Sequence, residues 1–529
     1  MGDLLLGIDV GTYGSKGILA RPDGTVVAED RVQHGLSIPR AGYAEHDADE
    51  VWWSDFAALS RALMQRVSSG DRVAGVAASA IGPCLLPIDA EGRPLRPGIL
   101  YGIDTRATAQ IAALEASHGR ETLLELGGMR LTSQAIGPKI LWLKENEPDV
   151  YERSAAFVTA SSYLVLRLTG ELVIDRHTAS HFNPLIDIET LAWSGRFADG
   201  IAEREQLPEL RWSDEIAGVV TPRAEAETGI PAGTPVTAGA VDALAEAVSV
   251  GVSQPGDLMI MYGSTAFLIL LVEGRAAHPD LWTTAGAFPG QYALAAGMAT
   301  TGAATTWFRD QLGRDLVEAE LAGGLDAYEA LAAEAALSPV GARGLLALPY
   351  LSGERTPLHD PDARGVLAGL SLAHTRGDLY RALLEGVAFG IRHNVETMAE
   401  NGAPIRRAVA VGGGAASRLW LQTVSDVAGI TQLVPERTTG AAYGDAFLAG
   451  LATSTIEDAR ALEREWVRVV DKIEPDPDAA ASYEELRPLF HRLYEETRAT
   501  VHALGRLSLE DHDRAAERRP SEGGIEHVA

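Results

Sequence analysis

The sequence predicts an α/β protein made of two lobes, each with a central mixed sheet flanked by helices. Its 529 residues exceed the ~250–300 at which one hydrophobic core stops growing, so we expect more than one domain. Apolar, strand-like runs alternate with segments of helical period along the chain. A hairpin of the same kind occurs in each half, which indicates two related lobes that each present a turn to one ligand.

The first of these hairpins is LLLGIDVGTYGSKGILA, residues 4–20. An apolar strand ends at Asp9, small residues form a turn, and a second apolar strand follows, so the segment is a meander. A P-loop or a dinucleotide-binding fold needs a helix directly after its glycines, and neither is predicted here. A carboxylate between Ile8 and Val10 loses hydration unless a cation or a donor meets it. Mg²⁺ and an Asx-type turn remain alternative explanations of Asp9.

The second hairpin is GDLMIMYGSTAFLILLV, residues 256–272, which repeats the order of strand, small-residue turn and strand. Turns rich in glycine and hydroxyl residues leave backbone N–H groups pointing outward, which suits a phosphate chain. Lys16 could neutralise phosphate charge or could be an ordinary solvated strand residue. The candidate hydroxyl donors of the two turns are Thr12, Ser15, Ser264 and Thr265.

Two further segments carry candidate chemistry. In TPVTAGAVDALAEAVSVGV, residues 234–252, a strand to about Val241 precedes an Ala-rich helix. Asp242 lies at their junction, where it could cap the helix or accept a proton from a substrate at the end of the strand. In VGGGAASRLW, residues 411–420, three glycines between a strand and a helix would let a flat ring or a ribose lie against the backbone.

Charge and composition exclude several classes of partner. A formal net charge of −28 repels phosphates over most of the surface, so nucleic-acid binding is not expected and any phosphate site must be local. No apolar run reaches the ~18 residues that span a bilayer, which predicts no membrane helix. The single cysteine, Cys84, excludes an internal disulfide. No basic segment precedes the first apolar run, so we expect no secretory signal and a cytoplasmic location.

Several segments in collinear order resemble the FGGY family of carbohydrate kinases, and the resemblance covers roughly residues 4 to 455. The longest is LLALPYLSGERTPLHDPDARGVLAGLSLAHTRGDLYRALLEGVAFGIR, residues 345–392, which resembles the second family signature. PKILWLKENEP, around Lys139, resembles the first signature. DVGTYGSKG and YGST resemble the two phosphate motifs, GGGAASRLW the adenosine motif, and TGAATTWFRD another nucleotide-side segment.

The resemblance implies the two-lobed actin-like ATPase fold, which is ribonuclease H-like, with ATP and Mg²⁺ in the cleft between the lobes. Residues 1–250 would form the N-terminal lobe, with the sugar site, the first phosphate turn and the catalytic base. Residues 251–505 would form the nucleotide-binding C-terminal lobe. The polar segment 506–529 is predicted to be disordered.

The resemblance also implies roles for single residues. Asp9 is similar to the metal-associated acid of the family, and Asp242 is similar to its catalytic base. The implied ATP ligands lie in both turns, at a helix start in the second half and in the GGG segment. They are Gly11, Thr12, Tyr13, Gly14, Ser15, Lys16, Gly263, Ser264, Thr265, Gly302, Gly413, Gly414, Ala415 and Ser417.

The sequence departs from the xylulose-kinase-like members of the family on the substrate side. AIGPC places Gly82 and Pro83 where those kinases usually have Met-His, and Gln134 replaces a common aromatic residue. YGIDTR retains Asp104, Thr105 and Arg106 of a WNDTR-like segment. The implied substrate ligands are Gly82, Pro83, Asp104, Arg106, Gln134 and Asp242.

The expected activity is transfer of the γ-phosphoryl group of MgATP to a hydroxyl of a ketopentose such as xylulose. Ribulose, ribitol, erythritol and gluconate are the alternative substrates, and glycerol fits worse because the Arg-Glu pair of glycerol kinases is absent. The alternatives from another class are a nucleotide-dependent chaperone-like module and a catalytically silent sugar sensor. A homodimer is also expected from the resemblance.

Overall fold

The computed structural model describes residues 2–198, 200–275, 278–400 and 404–517, with side chains described as far as residue 507. Within these ranges, two seven-stranded mixed sheets are accompanied by several two-stranded ribbons. No helix in these ranges combines the length and the apolar composition that crossing a bilayer requires.

The strands that build these sheets and ribbons, in chain order, are β1 Gly2–Val10, β2 Gly14–Ala20, β3 Val26–Gln33, β4 Glu45–His46, β5 Asp71–Ala80, β6 Leu86–Ile88, β7 Gly98–Ile99, β8 Ala156–Val158, β9 Val173–Asp175, β10 Ile186–Asp187, β11 Ala192–Trp193, β12 Glu209–Arg211, β13 Ile216–Val219, β14 Pro235–Thr237, β15 Ala240–Val241, β16 Asp257–Tyr262, β17 Ala266–Glu273, β18 Trp282–Ala285, β19 Gln291–Met298, β20 Leu346–Leu348, β21 Val366–Ala368, β22 Arg407–Val411, β23 Gln432–Pro435 and β24 Val469–Ile473.

The helices, in chain order, are α1 Ser54–Met64, α2 Thr108–His118, α3 Arg120–Gly127, α4 Ile136–Asn146, α5 Pro148–Arg153, α6 Ala160–Thr169, α7 Arg176–Ala179, α8 Pro222–Thr228, α9 Asp242–Ser249, α10 Gly302–Leu312, α11 Arg314–Leu321, α12 Ala327–Ala336, α13 Arg376–Glu400, α14 Arg418–Ala428, α15 Ala441–Ala452 and α16 Pro477–Glu517. Short helical turns occur at Ala48–Trp53, Arg204–Gln206, Ala342–Gly344, Gly413–Ala416 and Leu462–Trp466.

The first sheet has the strand order β13-β14-β5-β1-β2-β3, and β15 also pairs with β5. Strands β1, β2 and β3 form the predicted antiparallel meander, while β1 pairs with β5 in parallel. The central strand β1 is apolar from Leu4 to Ile8 because residues on both of its faces are buried. The turn between β1 and β2 therefore lies at the end of two interior strands of the sheet.

The second sheet has the order β18-β19-β17-β16-β22-β23-β24. Its β16–β17 hairpin is antiparallel and β16 pairs with β22 in parallel, which repeats the arrangement of β1, β2 and β5. The prediction of two related lobes, each with a mixed sheet and flanking helices, is confirmed. The predicted division at residue 250 falls between the last strand of the first sheet and the first strand of the second.

Helix α15 belongs to the second half of the chain but packs on the first sheet, beside α9. Glycines make this contact close, because a Cβ on Gly7 would lie 1.9 Å from the Ala442 carbonyl oxygen. A Cβ on Gly444 would lie 2.0 Å from the Ala245 carbonyl oxygen. The C-terminal half thus supplies part of the wall behind the first phosphate turn.

We expect Gly7→Ala to destabilise the protein by at least the ~1–3 kcal/mol typical of overpacking, because the added methyl group meets backbone that cannot rotate away. Denaturant unfolding of the variant and the parent protein measures this change. Gly35→Ala is the matched control, since a Cβ on Gly35 meets nothing within 4 Å. Equal unfolding midpoints for the two variants would contradict the close packing of α15 on β1.

Helix α16 differs from the predicted disordered tail, because it continues as far as Glu517. The segment from residue 506 to residue 517 contains Leu, Glu, Ala and Arg, which favour helix even where few apolar residues are available for burial. Residues 518–529, the rest of the predicted tail, lie outside the described residues.

Candidate active site

The first phosphate turn joins β1 to β2. The Gly11 N–H donates to the Gly14 carbonyl at 3.1 Å, and the Thr12 and Tyr13 N–H groups make no hydrogen bond to any described residue. The Thr12 hydroxyl lies 3.4 Å from the Tyr101 hydroxyl, which connects the turn to the neighbouring wall of the N-terminal lobe. Two adjacent unpaired N–H groups are suited to anion binding.

The second turn joins β16 to β17 and is closed by a 3.1 Å hydrogen bond from the Gly263 N–H to the Thr265 carbonyl. Its Gly263 and Ser264 carbonyls accept hydrogen bonds from the first residues of α10 and the residue before it. A Cβ on Gly302 would lie 2.5 Å from the Gly263 carbonyl oxygen, so this close approach requires glycine. As in the first turn, the Ser264 and Thr265 N–H groups have no partner among the described residues.

A cavity of about 850 Å³ lies beside the second turn in the C-terminal lobe. Its walls include Gly263, Ser264, Gly302, Gly413, Gly414 and Ser417, all of which the sequence predicted as ATP ligands. The structure adds walls that the sequence analysis missed, which are Tyr262, Thr305, Thr306, Asp326, Tyr328, Glu329, Ala332, Tyr380, Ala416, Arg418, Leu419 and Trp420.

Two predicted ATP ligands, Ala415 and Lys16, do not line this cavity. Ala415 packs against the C-terminal core. The Lys16 ammonium donates to the Thr439 carbonyl at 2.6 Å and lies 3.4 Å from Glu29. Lys16 therefore connects the first hairpin to the segment before α15. Its role at a phosphate stays a prediction.

Two buried acids of the N-terminal lobe lie at the ends of strands. Asp242 is the first residue of α9, and Val241 before it occupies the cap position, so Asp242 is not the helix cap. The Asp242 Oδ1 accepts a 2.7 Å hydrogen bond from the Ala243 N–H. Burial and the charge of Asp9 raise the pKa of Asp242 to about 7. Burial also raises the pKa of Asp9 to about 6, against the opposing Ser79 hydrogen bond and the Lys16 charge. A carboxylate with a pKa near neutrality is suited to accept a proton.

The structure adds two acids that the sequence analysis did not identify, Glu246 and Asp445. Burial and the charge of Asp9 raise the pKa of Glu246 to about 7, and burial raises the pKa of Asp445 well above its usual value. Asp445 Oδ2 accepts from the Ser79 hydroxyl at 2.7 Å, and that hydroxyl also lies 3.0 Å from Asp9 Oδ1. Glu246 had a sequence signal, since it lies four residues after Asp242 on the same helix.

Three of the predicted sugar ligands, Gly82, Pro83 and Gln134, lie near Asp242 or Tyr101. A Cβ on Gly82 would lie 2.5 Å from Val241 Cγ2 and 3.5 Å from Asp242 Oδ1, which places Gly82 and the adjacent Pro83 beside the proposed base. Gln134 lies against Gly102, next to Tyr101, and its Oε1 is buried without a hydrogen-bond partner. These positions stay predictions as sugar ligands.

Asp104 and Arg106 lie inside the wall of the N-terminal lobe, and both side chains are 0% exposed. Their 2.7 Å ion pair is completed by a 2.8 Å bond from Arg106 to Glu45. The guanidinium also lies 4.0 Å from the centre of the Tyr43 ring. Arg106 Nη1 is buried without a hydrogen-bond partner among the described residues, so one donor of this wall is left over. Direct binding of substrate by Asp104 and Arg106 stays a prediction.

The donor set near Asp9 fits a nucleotide-bound Mg²⁺. The described residues hold no group of three or more His, Cys, Asp or Glu side chains arranged around one metal position. A Mg²⁺ that arrives with nucleotide phosphates keeps several waters and needs only one or two carboxylates. Asp9 can supply one such carboxylate. Its Oδ1 accepts a hydrogen bond from the Ser79 hydroxyl, and not from the backbone N–H that an Asx-type turn would provide.

The structure combines two lobes, a turn from each lobe with unpaired N–H groups, and buried acids at the ends of strands. This combination is typical of a two-lobed phosphotransferase. The family model described as the FGGY family of carbohydrate kinases, N-terminal domain, matches residues 4–249, and the corresponding C-terminal domain matches residues 258–453. The chain therefore belongs to the FGGY family of carbohydrate kinases. The protein is a carbohydrate kinase, and kinases of this family use ATP.

Known relatives agree with this class. The chain is 31% identical over 504 residues to a xylulose kinase of Escherichia coli, covering 93% of this chain and 99% of the relative. It is 31% identical over 481 residues to glycerol kinase 2 of Streptomyces avermitilis, covering 88% and 91%. The crystal structure of xylulose kinase from Rhodospirillum rubrum matches with a TM-score of 0.88 and 33% identity, covering 94% of this chain and all of that one.

Proposed function

We propose that the protein transfers the γ-phosphoryl group of MgATP to a hydroxyl group of a ketopentose such as xylulose. The observation that carries this proposal is the buried Asp242 carboxylate, whose pKa is raised to about 7 beside Asp9, in a lobe whose turn leaves two N–H groups unpaired. The relatives named as xylulose kinases support the choice of sugar.

In the proposed reaction the oxygen of the sugar hydroxyl attacks the γ-phosphorus, and the bond between that phosphorus and the bridging oxygen of ADP breaks. The hydroxyl proton passes to Asp242, which must be ionised to accept it. The unpaired N–H groups of Thr12, Tyr13, Ser264 and Thr265 bind phosphate oxygens and stabilise the charge that develops on them. Asp9 would hold a Mg²⁺ that arrives with the nucleotide, and the cation would supply positive charge to the phosphate oxygens.

The charges around Asp242 favour a neutral substrate over a sugar acid. Besides burial, the charge of Asp9 raises the pKa values of Asp242, Glu246 and Asp445, so these acids lie near Asp9. The carboxylate of an aldonate such as gluconate would be repelled by this group, whereas a ketose or a polyol carries no charge. Neutral glycerol is the second candidate because a relative at 31% identity is named glycerol kinase 2.

We expect D-xylulose to stimulate ADP formation most strongly in a panel that also contains D-ribulose, ribitol, erythritol, glycerol and gluconate. A coupled assay for ADP, run with and without each compound, measures this stimulation, and NMR of the product identifies the phosphorylated hydroxyl. Gluconate is the charged control and should be among the poorest substrates. ADP release that is independent of every sugar would contradict the proposed function, and strongest turnover with glycerol would replace the proposed substrate.

A further inference from the structure

A buried network of three polar side chains lies beneath the first phosphate turn. The Ser15 hydroxyl donates to Asp55 Oδ2 at 2.7 Å, and His34 Nδ1 lies 2.7 Å from the same oxygen. His34 Nε2 lies 3.1 Å from the Gly11 carbonyl oxygen. The side chains of His34 and Asp55 are only 7% and 8% exposed, so water contributes little to their hydrogen bonding. Asp55 lies in the first turn of α1, and His34 directly follows β3.

The His34 ring is held at both of its nitrogens. Its Nδ1 faces the Asp55 side chain and its Nε2 faces the Gly11 carbonyl oxygen. A carbonyl oxygen can only accept a hydrogen bond, so Nε2–H is the donor to Gly11. Asp55 thus orients the ring, and the ring holds the Gly11 carbonyl.

The same residue holds a second carbonyl of the turn. The backbone N–H of His34 donates to the Tyr13 carbonyl at 3.1 Å, while its ring donates to the Gly11 carbonyl. In a planar trans peptide the C=O and the following N–H point in opposite directions. When the Gly11 carbonyl points at His34, the Thr12 N–H must point the opposite way. This is one of the N–H groups that have no partner among the described residues.

We propose that the His34–Asp55 pair positions the first phosphate turn, by holding the Gly11 carbonyl so that the Thr12 N–H is aimed at the nucleotide phosphates. The inference rests on the proposed binding of ATP phosphates by this turn. His34 acts through the backbone and touches no substrate, so it is a positioning residue. Phosphate binding by an oriented backbone N–H suits a chain with a formal net charge of −28, because it needs no exposed cation.

Two variants separate the hydrogen bond from the charge pair. In Asp55→Asn the new amide can donate to Nδ1 of a neutral His34 and to Ser15, so His34 Nε2–H keeps its bond to Gly11. In the double variant His34→Phe with Asp55→Asn, that donor is lost and no buried carboxylate is left unpaired. The single His34→Phe change is avoided, because an unpaired Asp55 would destabilise the fold for a different reason.

We expect the double variant to bind ADP and ATP about tenfold more weakly than Asp55→Asn, which is the loss expected for a charge-assisted or oriented hydrogen bond. Adenosine, which lacks phosphates, should bind all three proteins equally. Calorimetric titration of the purified full-length proteins with adenosine, ADP and ATP measures these affinities.

Several results would overturn the proposal. They are unchanged ADP binding by the double variant and an equal loss of adenosine and ADP binding. An equally large loss in Asp55→Asn would assign the effect to the charge pair and not to the bond with Gly11. Failure of the proposed function is distinguishable from these outcomes. It would appear as sugar-independent turnover by the parent protein, with the nucleotide affinities still ordered as expected.

Discussion

Asp242→Asn should lower kcat by about 10²–10⁴-fold, the contribution typical of a general base. The amide keeps the size of the side chain and can still accept the hydrogen bond from the Ala243 N–H, but it cannot accept a proton from the sugar. Affinity for ADP should change little, because the unpaired N–H groups of the turns remain. Steady-state kinetics with the best sugar of the panel, together with ADP titration, measures both quantities.

The matched control is Glu246→Gln, which neutralises a second buried acid one turn further along α9. Glu246 accepts a backbone hydrogen bond from Ala441, and glutamine can retain it. We therefore expect a much smaller loss of kcat than in Asp242→Asn. Equal losses in the two variants would contradict the assignment of the base and would indicate a general effect of charge in this cluster.

The pH dependence follows from the same residue. Burial and the charge of Asp9 raise the pKa of Asp242 to about 7, and only its deprotonated form can act as a base. The value of kcat/KM should therefore rise with pH through about 7 and level off above it. A rate that is independent of pH between about 5 and 8 would not agree with Asp242 as the base.

Asp9→Asn should raise the Mg²⁺ concentration needed for half-maximal activity by at least about 10–100-fold, the loss that even outer-shell changes cause at metal sites. The amide has no negative charge to attract the cation, while the hydrogen bond to the Ser79 hydroxyl can persist. Activity measured against Mg²⁺ concentration tests this change. Binding of Mn²⁺ in the presence of ADP, followed by electron paramagnetic resonance, supplies a readout independent of turnover.

Ser79→Ala is the control for this second prediction. It removes the hydroxyl that bridges Asp9 and Asp445 but leaves the Asp9 charge in place. We expect a smaller shift in Mn²⁺ binding than in Asp9→Asn. An unchanged Mn²⁺ affinity in Asp9→Asn would remove Asp9 from the proposed metal site.

Much of the site was predictable from short segments. The meander around Asp9 follows from apolar strands on either side of small residues, and the repeat at residues 256–272 predicted the second lobe. Asp242 was predictable because a buried strand meets a helix at that position. The structure places the unpaired N–H groups in the same two turns, since turn conformation depends mostly on local sequence.

Side-chain partners that are distant in sequence were not predictable. Lys16 was predicted at a phosphate but is held by Thr439, 423 residues away. Arg106 was predicted at the sugar but is enclosed by Asp104, Glu45 and Tyr43. In each case a charged residue contacts protein partners that are distant in the sequence or on another element. The segment containing the residue does not reveal which partner folding will bring close.

The sequence by itself determined the two-lobed α/β architecture and the two small-residue turns, because these depend on hydrophobic period and on local backbone preference. The family followed from the resemblance of its motifs. Only the tertiary structure decided the electrostatics of the site. Asp445 reaches Ser79 across 366 residues because α15 packs on the first sheet through glycines, and the Ser79 hydroxyl in turn contacts Asp9. Burial and charge proximity raise the pKa values of these acids, and both are properties of the folded chain.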